Sequence, residues 1–351
     1  MSSVFPVIQE LVPEPLSKKM RLDEGKSSKI IGTHNGTFHC DEALAVFMLR
    51  QTNDFRNSDV KRSRDPAILN ACDIVVDVGG VYDDSKRRYD HHQRGFTEVF
   101  GHGFETKLSS AGLVYKHFGK EIIADRLQSP QDDPRVETLW LKVYKEFIEA
   151  VDGIDNGVSQ YPAELKPKYR VRTDLSSRVG WLNPAWNEAS DSQSYDTRFE
   201  RASSLTGQEF LSRLDYYANA WLPARSLVAA ALAARTSTDP SGNLIIFESF
   251  LPWKEHLFEL EEEQSVAPDA QPIYVIYPDE SGKWRVQAVP VSPDSFESRK
   301  ALPQAWRGLR DEELSKASGV EGCIFVHASG FIGGAQTQEG ALKLAKLALT
   351  L

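Results

Sequence analysis

Short apolar runs alternate with helical stripes through much of the chain, and this alternation predicts an α/β protein built on a mostly parallel sheet. Lys29 to Gly32 reads as a short strand and His39 to Arg50 as a helix. The stretch Ala43-Leu44-Ala45-Val46-Phe47-Met48-Leu49 is apolar on every side, as in a deeply buried helix. Pro66 to Asn70 reads as a short helix. Ile74 to Val78 is a continuous apolar run, the pattern of a central parallel strand covered on both faces. Ser109-Ser110 offers an N-cap to a helix through Lys116. Val136, Leu139, Trp140, Val143, Phe147, Ile148 and Val151 fall at helical spacing and form one stripe.

Residues 162–194 lack any such period and are rich in Trp, Pro and Asn. Beyond them two helices are predicted, Gly207 to Ala220 and Ala224 to Arg235, with Pro223 placed to begin the second. After Pro240 the pattern changes to strands at Leu244–Phe247, Ile273–Tyr277, Trp284–Val289 and Cys323–His327. A closing helix runs from Gln338 to Leu349, and the acidic run Glu259 to Glu263 reads as a solvated face. The expected division is a disordered tail at 1–28, a catalytic domain at 29–200, a helical connector at 201–239 and a smaller C-terminal α/β domain at 240–351.

Composition narrows the class. A chain of 351 residues with 41% hydrophobic residues can build two cores. Its net charge of −9 argues against a protein that coats nucleic acid by bulk charge, but not against a local basic groove. Cys40, Cys72 and Cys323 are too few and too scattered for a disulfide framework or a Cys-based zinc site, which fits a reducing compartment. No apolar run reaches the roughly 18 residues of a membrane span, so no membrane partner is expected.

The candidate chemistry sits at the predicted element ends. His34 follows the first strand, Asp77 lies near the end of the central one, Asp90-His91-His92 occupies the next loop, and Asp152 comes near the end of the striped helix. A carboxylate inside an apolar run needs a partner or a metal, which makes Asp77 the hardest to explain structurally. Asp41 and Glu42 suit a first helical turn by the dipole alone. Asp155 is an alternative to Asp152. Hard carboxylate and imidazole donors from four segments, one carboxylate being shared, are what a two-metal hydrolase requires.

In that order and spacing the motifs are similar to those of the DHH phosphoesterases, which include manganese pyrophosphatases. More closely, the chain from Ile31 onward resembles the melanocyte-proliferating-gene exonuclease family, also described as metal-dependent protein hydrolases. The stretches that carry the resemblance are Gly32-Thr33-His34-Asn35-Gly36-Thr37-Phe38-His39-Cys40-Asp41-Glu42, Val76-Asp77-Val78-Gly79-Gly80-Val81-Tyr82 and Tyr89-Asp90-His91-His92-Gln93. Trp221-Leu222-Pro223-Ala224-Arg225 and His327-Ala328-Ser329-Gly330-Phe331-Ile332-Gly333-Gly334 also match.

The resemblance implies a DHH-like catalytic domain and a manganese- or magnesium-dependent 3′-to-5′ exonuclease acting on single-stranded RNA, inside the cell at nuclear, cytoplasmic or mitochondrial locations. It implies two divalent cations, Mn²⁺ first. His34, His39 and Asp77 would hold one and Asp41, Asp77, His91 and Asp152 the other. Phe38 stands where many members of the superfamily place an Asp, so His39 enters as a substitute ligand. His92 would meet substrate phosphate, with Asp90 orienting a histidine. Arg225, His327, Gly333 and Gly334 would grip the substrate, the glycines by backbone approach to a phosphate. Trp181, Trp186 and Trp221 read more readily as packing residues than as base-stacking platforms. A small-molecule phosphoesterase or pyrophosphatase, and a non-catalytic binding protein on the same fold, are the alternative functions.

Overall fold

In the computed structural model, which describes residues 28–351 apart from Ala163 and Ser190, the first sheet runs in the order β2-β1-β3-β5-β4. Its strands are β1 (Ile30–Thr33), β2 (Asp59–Arg62), β3 (Ile74–Val76), β4 (Tyr82–Asp83) and β5 (Arg88–Tyr89). All neighbours pair in parallel except β4 with β5. The expected tail lies outside the described residues but for Ser28. β3 is buried at every position, as its unbroken apolar run requires, whereas the edge strand β2 is only half-covered.

The helix α1 (Cys40–Leu49) is buried on nearly all sides. Around it lie α3 (Ser110–Leu127), which follows the short α2 (Pro66–Asn70) and the hairpin β6 (Val99–Gly101) with β7 (Phe104–Lys107), and then α4 (Pro134–Val143), α5 (Glu149–Asp155), α6 (Leu175–Gly180) and α7 (Ser192–Tyr216). α3 and α7 pack directly on α1. Gly207 lets α7 approach closely, because a Cβ there would stand 2.0 Å from the Phe47 ring. The striped segment is two helices, not one: a π-helical turn at Tyr144–Ile148 joins α4 to α5. A second such turn, Tyr217–Trp221, joins α7 to α8 (Leu222–Ala233). α7 is continuous across residue 200, so the expected boundary there falls inside a helix.

The rest of the chain forms a second five-stranded sheet, β11-β12-β10-β9-β8, after the short α9 (Arg235–Thr238). The strands are β8 (Leu244–Ile246), β9 (Tyr274–Pro278), β10 (Trp284–Ala288), β11 (Cys323–Val326) and β12 (Ile332–Ala335). The pairs are antiparallel except β8 with β9. Side chains alternate along β9: Tyr274 and Ile276 enter one apolar cluster, Val275 and Tyr277 the other. The cluster of Tyr274 holds residues of α11 (Asp311–Ser318) and α12 (Gln338–Thr350); that of Val275 holds residues of α8 and α10 (Lys254–Glu263). The acidic run read as a solvated face is so only in part: it lies on a helix that buries Leu257, Leu260 and Glu261, the last paired with Arg299 at 2.6 Å. Among the described residues no helix is long and apolar enough to cross a membrane.

Candidate metal centre

β1 and β3 lie side by side and in parallel, so the residues following each emerge at the same sheet edge. That edge receives His34 from β1 and Asp77 from β3, and the chain beyond β5 brings Asp90-His91-His92 alongside. Asp77 has φ +58°, in the left-handed region. Aspartate tolerates that conformation better than most residues, at a cost on the order of 1 kcal/mol or more, and such strain collects at functional sites.

Asp77 is the hub. Its Oδ2 lies 3.3 Å from His34 Nε2 and its Oδ1 3.2 Å from His91 Nε2. His34 Nε2 is also 3.2 Å from Glu42 Oε1, and His91 Nε2 is 3.2 Å from Asp155 Oδ2. Nitrogen and oxygen donors close enough to share an ion come from His34, His39, Glu42 and Asp77; from Asp77, His91 and His92; and from Asp41, His91 and Asp155. Asp41, Glu42, Asp77, His34 and His91 are all buried.

Asp41 Oδ1, Asp77 Oδ1 and His91 Nε2 are buried without a well-aligned hydrogen bond, although Asp77 Oδ1 and His91 Nε2 face each other at 3.2 Å. Buried polar atoms are ordinarily satisfied, so such a carboxylate–imidazole set at one spot fits a bound cation. The donors are carboxylate oxygen and imidazole nitrogen, a set suited to a divalent cation and without the thiolates of a structural zinc site.

Protonation in the bare protein points the same way. Burial pulls the His34 imidazole down, but the Asp77 and Glu42 carboxylates outweigh it and hold it at about 10. Burial, with Asp41 beside it, pushes Asp155 up to about 9. Glu42 rises to about 8 through burial and the charges of Asp41 and Asp77, against the pull of His34. Asp77 alone runs the other way: despite burial, His34 and His91 hold it well below the usual carboxylate range.

The histidines are oriented by distinct partners. Asp90 accepts from His92 Nδ1 at 2.8 Å and from the backbone N–H groups of His92 and Gly80, so Asp90 positions His92 and not His91. His91 Nδ1 instead faces Asn156 Oδ1 at 3.3 Å. The His92 side chain is 62% exposed, as a group meeting substrate must be. Two clefts flank the centre. One, of about 520 Å³, is lined by Phe38, His39, Asp77, His91, His92, Lys107, Asp155 and Asn156 among others; the second, of about 350 Å³, runs from His34 and Asp77 past Gly79 and Gly80 to Arg64.

The structure does not bring Asp152 into this cluster. Its Oδ1 accepts from Ser109 N (2.9 Å), Ser109 Oγ (2.6 Å) and Gly112 N (3.1 Å), and its Oδ2 accepts from Tyr144 OH (3.0 Å). Asp152 therefore caps the N-terminus of α3, where a carboxylate satisfies free N–H groups and meets the positive end of the dipole. Asp155, one turn later on α5, reaches the centre instead. Gly112→Ala is expected to lower unfolding free energy by about 1–3 kcal/mol in chemical denaturation, because its Cβ would stand 2.3 Å from Asp152 Oδ2.

Neither cleft lining includes the expected gripping residues. Arg225 is paired with Glu259 (2.8 Å) and Glu263 (2.6 Å). His327 faces solvent with Ser329 Oγ at 2.9 Å. Gly333 and Gly334 form no phosphate loop: they lie within β12, paired on both sides, where a Cβ on Gly334 would stand 2.5 Å from Arg285 Nη1. Glu42 and Asn156 are the residues that sequence reasoning left out of the centre, and Asp155 entered it only as the alternative to Asp152. For Glu42 the available signal was an acid eight positions after His34, masked by the ordinary preference for acids in a first helical turn.

A family profile described as "Uncharacterised protein family (UPF0160)", with the short name MYG1 exonuclease, matches residues 30–349. The chain is 51% identical over 346 residues to the "MYG1 exonuclease" of Homo sapiens, covering 97% of this chain and 90% of that protein. It is 54% identical over 325 residues to the "MYG1 exonuclease" of Bos taurus, covering 91% and 84%. To the "MYG1 protein YER156C" of Saccharomyces cerevisiae it is 46% identical over 337 residues, covering 95% and 98%. No solved structure matches the chain.

Proposed function

The chain belongs to the MYG1 exonuclease family, and from that premise we propose that it is a metal-dependent phosphodiesterase that removes nucleotides from the 3′ end of single-stranded RNA, using two divalent cations, Mn²⁺ or Mg²⁺. The observation that carries the hydrolytic reading is the convergence of buried carboxylate and imidazole donors on Asp77, close enough to share an ion. The exonuclease reading is supported by the names of the relatives, and the RNA polarity by the motif resemblance.

His34, His39, Glu42 and Asp77 would hold one cation, and Asp41, Asp77, His91 and Asp155 the other. Asp77 can serve both because its two oxygens face opposite histidines. When bound, the cations supply a water of lowered pKa and positive charge against the phosphoryl oxygens. His92, fixed by Asp90, presents an imidazole to the open cleft and can donate to a phosphate oxygen. Lys107 adds a cation to the same wall. Burial raises Glu42 and Asp155, so an ion that takes them as ligands displaces their protons.

With Mn²⁺, RNA labelled at its 5′ end should give a descending ladder of labelled products, and EDTA should stop it. Phosphate released only from pyrophosphate, or mononucleotide only from dinucleotides, would transfer the site to the small-molecule phosphoesterases. No turnover of any phosphodiester with Mn²⁺ or Mg²⁺ would remove the hydrolytic reading.

A further inference from the structure

The segment leaving the cleft wall after Asn156 does not pack. Asn156 lines the larger cleft, and Ser176 and Gly180 line it again once the chain returns, so the intervening residues are tethered at its rim. Between them Lys166, Lys168, Arg170 and Arg172 fall within seven residues that contain no acid. Nearby Arg178 and Arg198 are paired with Glu209 and Glu188; among the described residues the four arm cations form no ion pair. In a chain of net charge −9 this is a concentrated positive patch, flanked by Glu164 and Asp174.

The aromatic residues of the same stretch are exposed where packing was the expectation. Trp186 is 97% exposed, Tyr169 77% and Trp181 64%, whereas Trp221 is 6% exposed and donates to Glu255 at 2.9 Å. Trp181 directly follows Gly180 of the cleft wall. Two residues on, Asn183 is fastened to the cleft residue Phe38 by reciprocal hydrogen bonds with its backbone, at 3.1 and 2.9 Å. Large aromatic faces left in water carry a hydrophobic cost, and alternation of free cations with free aromatic faces is the composition that binds single-stranded nucleic acid.

We propose that residues 164–186 form a docking arm for the single strand outside the metal centre: Lys166, Lys168, Arg170 and Arg172 hold backbone phosphates, and Tyr169, Trp181 and Trp186 stack bases. The proposal rests on the phosphodiesterase reading for its role in turnover, but binding by the arm is measurable without it. The arm gives a polymer substrate an affinity that a small phosphodiester, reaching only the metal centre, does not share.

The test uses the full chain. Binding of a fluorescent oligouridylate is followed by anisotropy in EDTA, and Mn²⁺-dependent hydrolysis of bis(p-nitrophenyl) phosphate is followed separately. Replacing the four arm cations by glutamine is expected to reduce the slope of log affinity against log salt by roughly 3, at about 0.7 per phosphate contact on a single strand. Trp181→Ala and Trp186→Ala should each weaken oligouridylate about fivefold or more, and all variants should keep the wild-type rate on the small diester. Unchanged oligouridylate affinity in these variants, or no binding by the wild type, overturns the arm. Competition by polyglutamate as strong as by unlabelled oligouridylate would make it an acidic-peptide site instead. Loss of small-diester hydrolysis in the wild type would strike the metal-centre reading and leave the arm to be judged on anisotropy alone.

Discussion

Asp155→Ala is expected to lower Mn²⁺-dependent phosphodiester hydrolysis on the order of 10³-fold or more while leaving the metal-free protein at least as stable as the wild type. Asp152→Ala, three residues away, is expected to do the reverse in its first effect and unfold the protein. The difference follows from what each carboxylate touches. Burial first, and then the neighbouring Asp41 and Asp77, raises Asp155 to about 9. Near neutral pH it is protonated in the bare protein, so its removal there strands no buried charge, while the loaded protein loses a ligand.

Asp152 holds Ser109 N, Ser109 Oγ, Gly112 N and Tyr144 OH. Its loss orphans several buried donors at about 1–3 kcal/mol each and strips the N-terminus of α3. Thermal unfolding in EDTA separates the two, with the Asp155 variant melting no lower than wild type and the Asp152 variant well below. Activity at a temperature where both are folded completes the comparison. A folded, inactive Asp152 variant beside an active Asp155 variant would reverse the assignment. Asp77→Ala belongs with Asp155, and Glu42→Ala joins them through its contact with His34.

Why the sequence favoured Asp152 is a matter of helix phase. The apolar stripe from Val136 to Val151 was read as one regular helix. The π-helical turn at Tyr144–Ile148 inserts an extra residue, which rotates everything after it by about 100°. No residue in that turn announces the change, so the face on which Asp152 or Asp155 lies could not be read from spacing.

His34, Asp77 and Asp90-His91-His92 were legible for the opposite reason. His34 and Asp77 each follow a short apolar strand of a parallel sheet, and such strand ends converge whatever the helices do; the triplet follows the two-residue β5, Arg88–Tyr89, which no apolar run announces. Gly333-Gly334 was misread because two adjacent glycines suggest a loop. In β12 they are needed for want of a side chain, with Arg285 and Trp284 crowding one face and Leu302 and Val326 another. The exposure of Trp181 and Trp186 was hidden too, since a tryptophan in an aperiodic stretch is ordinarily a packing residue.

Mn²⁺ is expected to bind more tightly by about a hundredfold or more at pH 8 than at pH 6, a factor of about ten per pH unit for each proton displaced with one proton as the minimum, and to raise the unfolding temperature more at pH 9 than at pH 6. The sign follows from which groups carry protons in the bare protein. His34 is held at about 10, above its ordinary 6.5. Its contribution to folding is fully present below pH 6.5 and is lost as pH rises toward 10. Asp155 at about 9 and Glu42 at about 8 are also raised. For these carboxylates the unfolded chain ionises first, so the bare fold loses stability steadily from about pH 4 to pH 8–9.

Asp77 is lowered, so its stabilising effect is lost only in strong acid and is constant across this window. The three raised groups therefore act together, and the metal-free protein should melt at a lower temperature at pH 9 than at pH 6. A cation must displace the protons on His34, Glu42 and Asp155 to use them as ligands. It thus meets least competition where the bare protein is weakest, and the gap between loaded and bare melting temperatures widens with pH. Titration calorimetry in buffers of different ionisation enthalpy should count at least one proton released per ion bound at pH 7. Affinity that is flat from pH 6 to pH 9, with no proton release, would mean that His34, Glu42 and Asp155 do not ligate the ion.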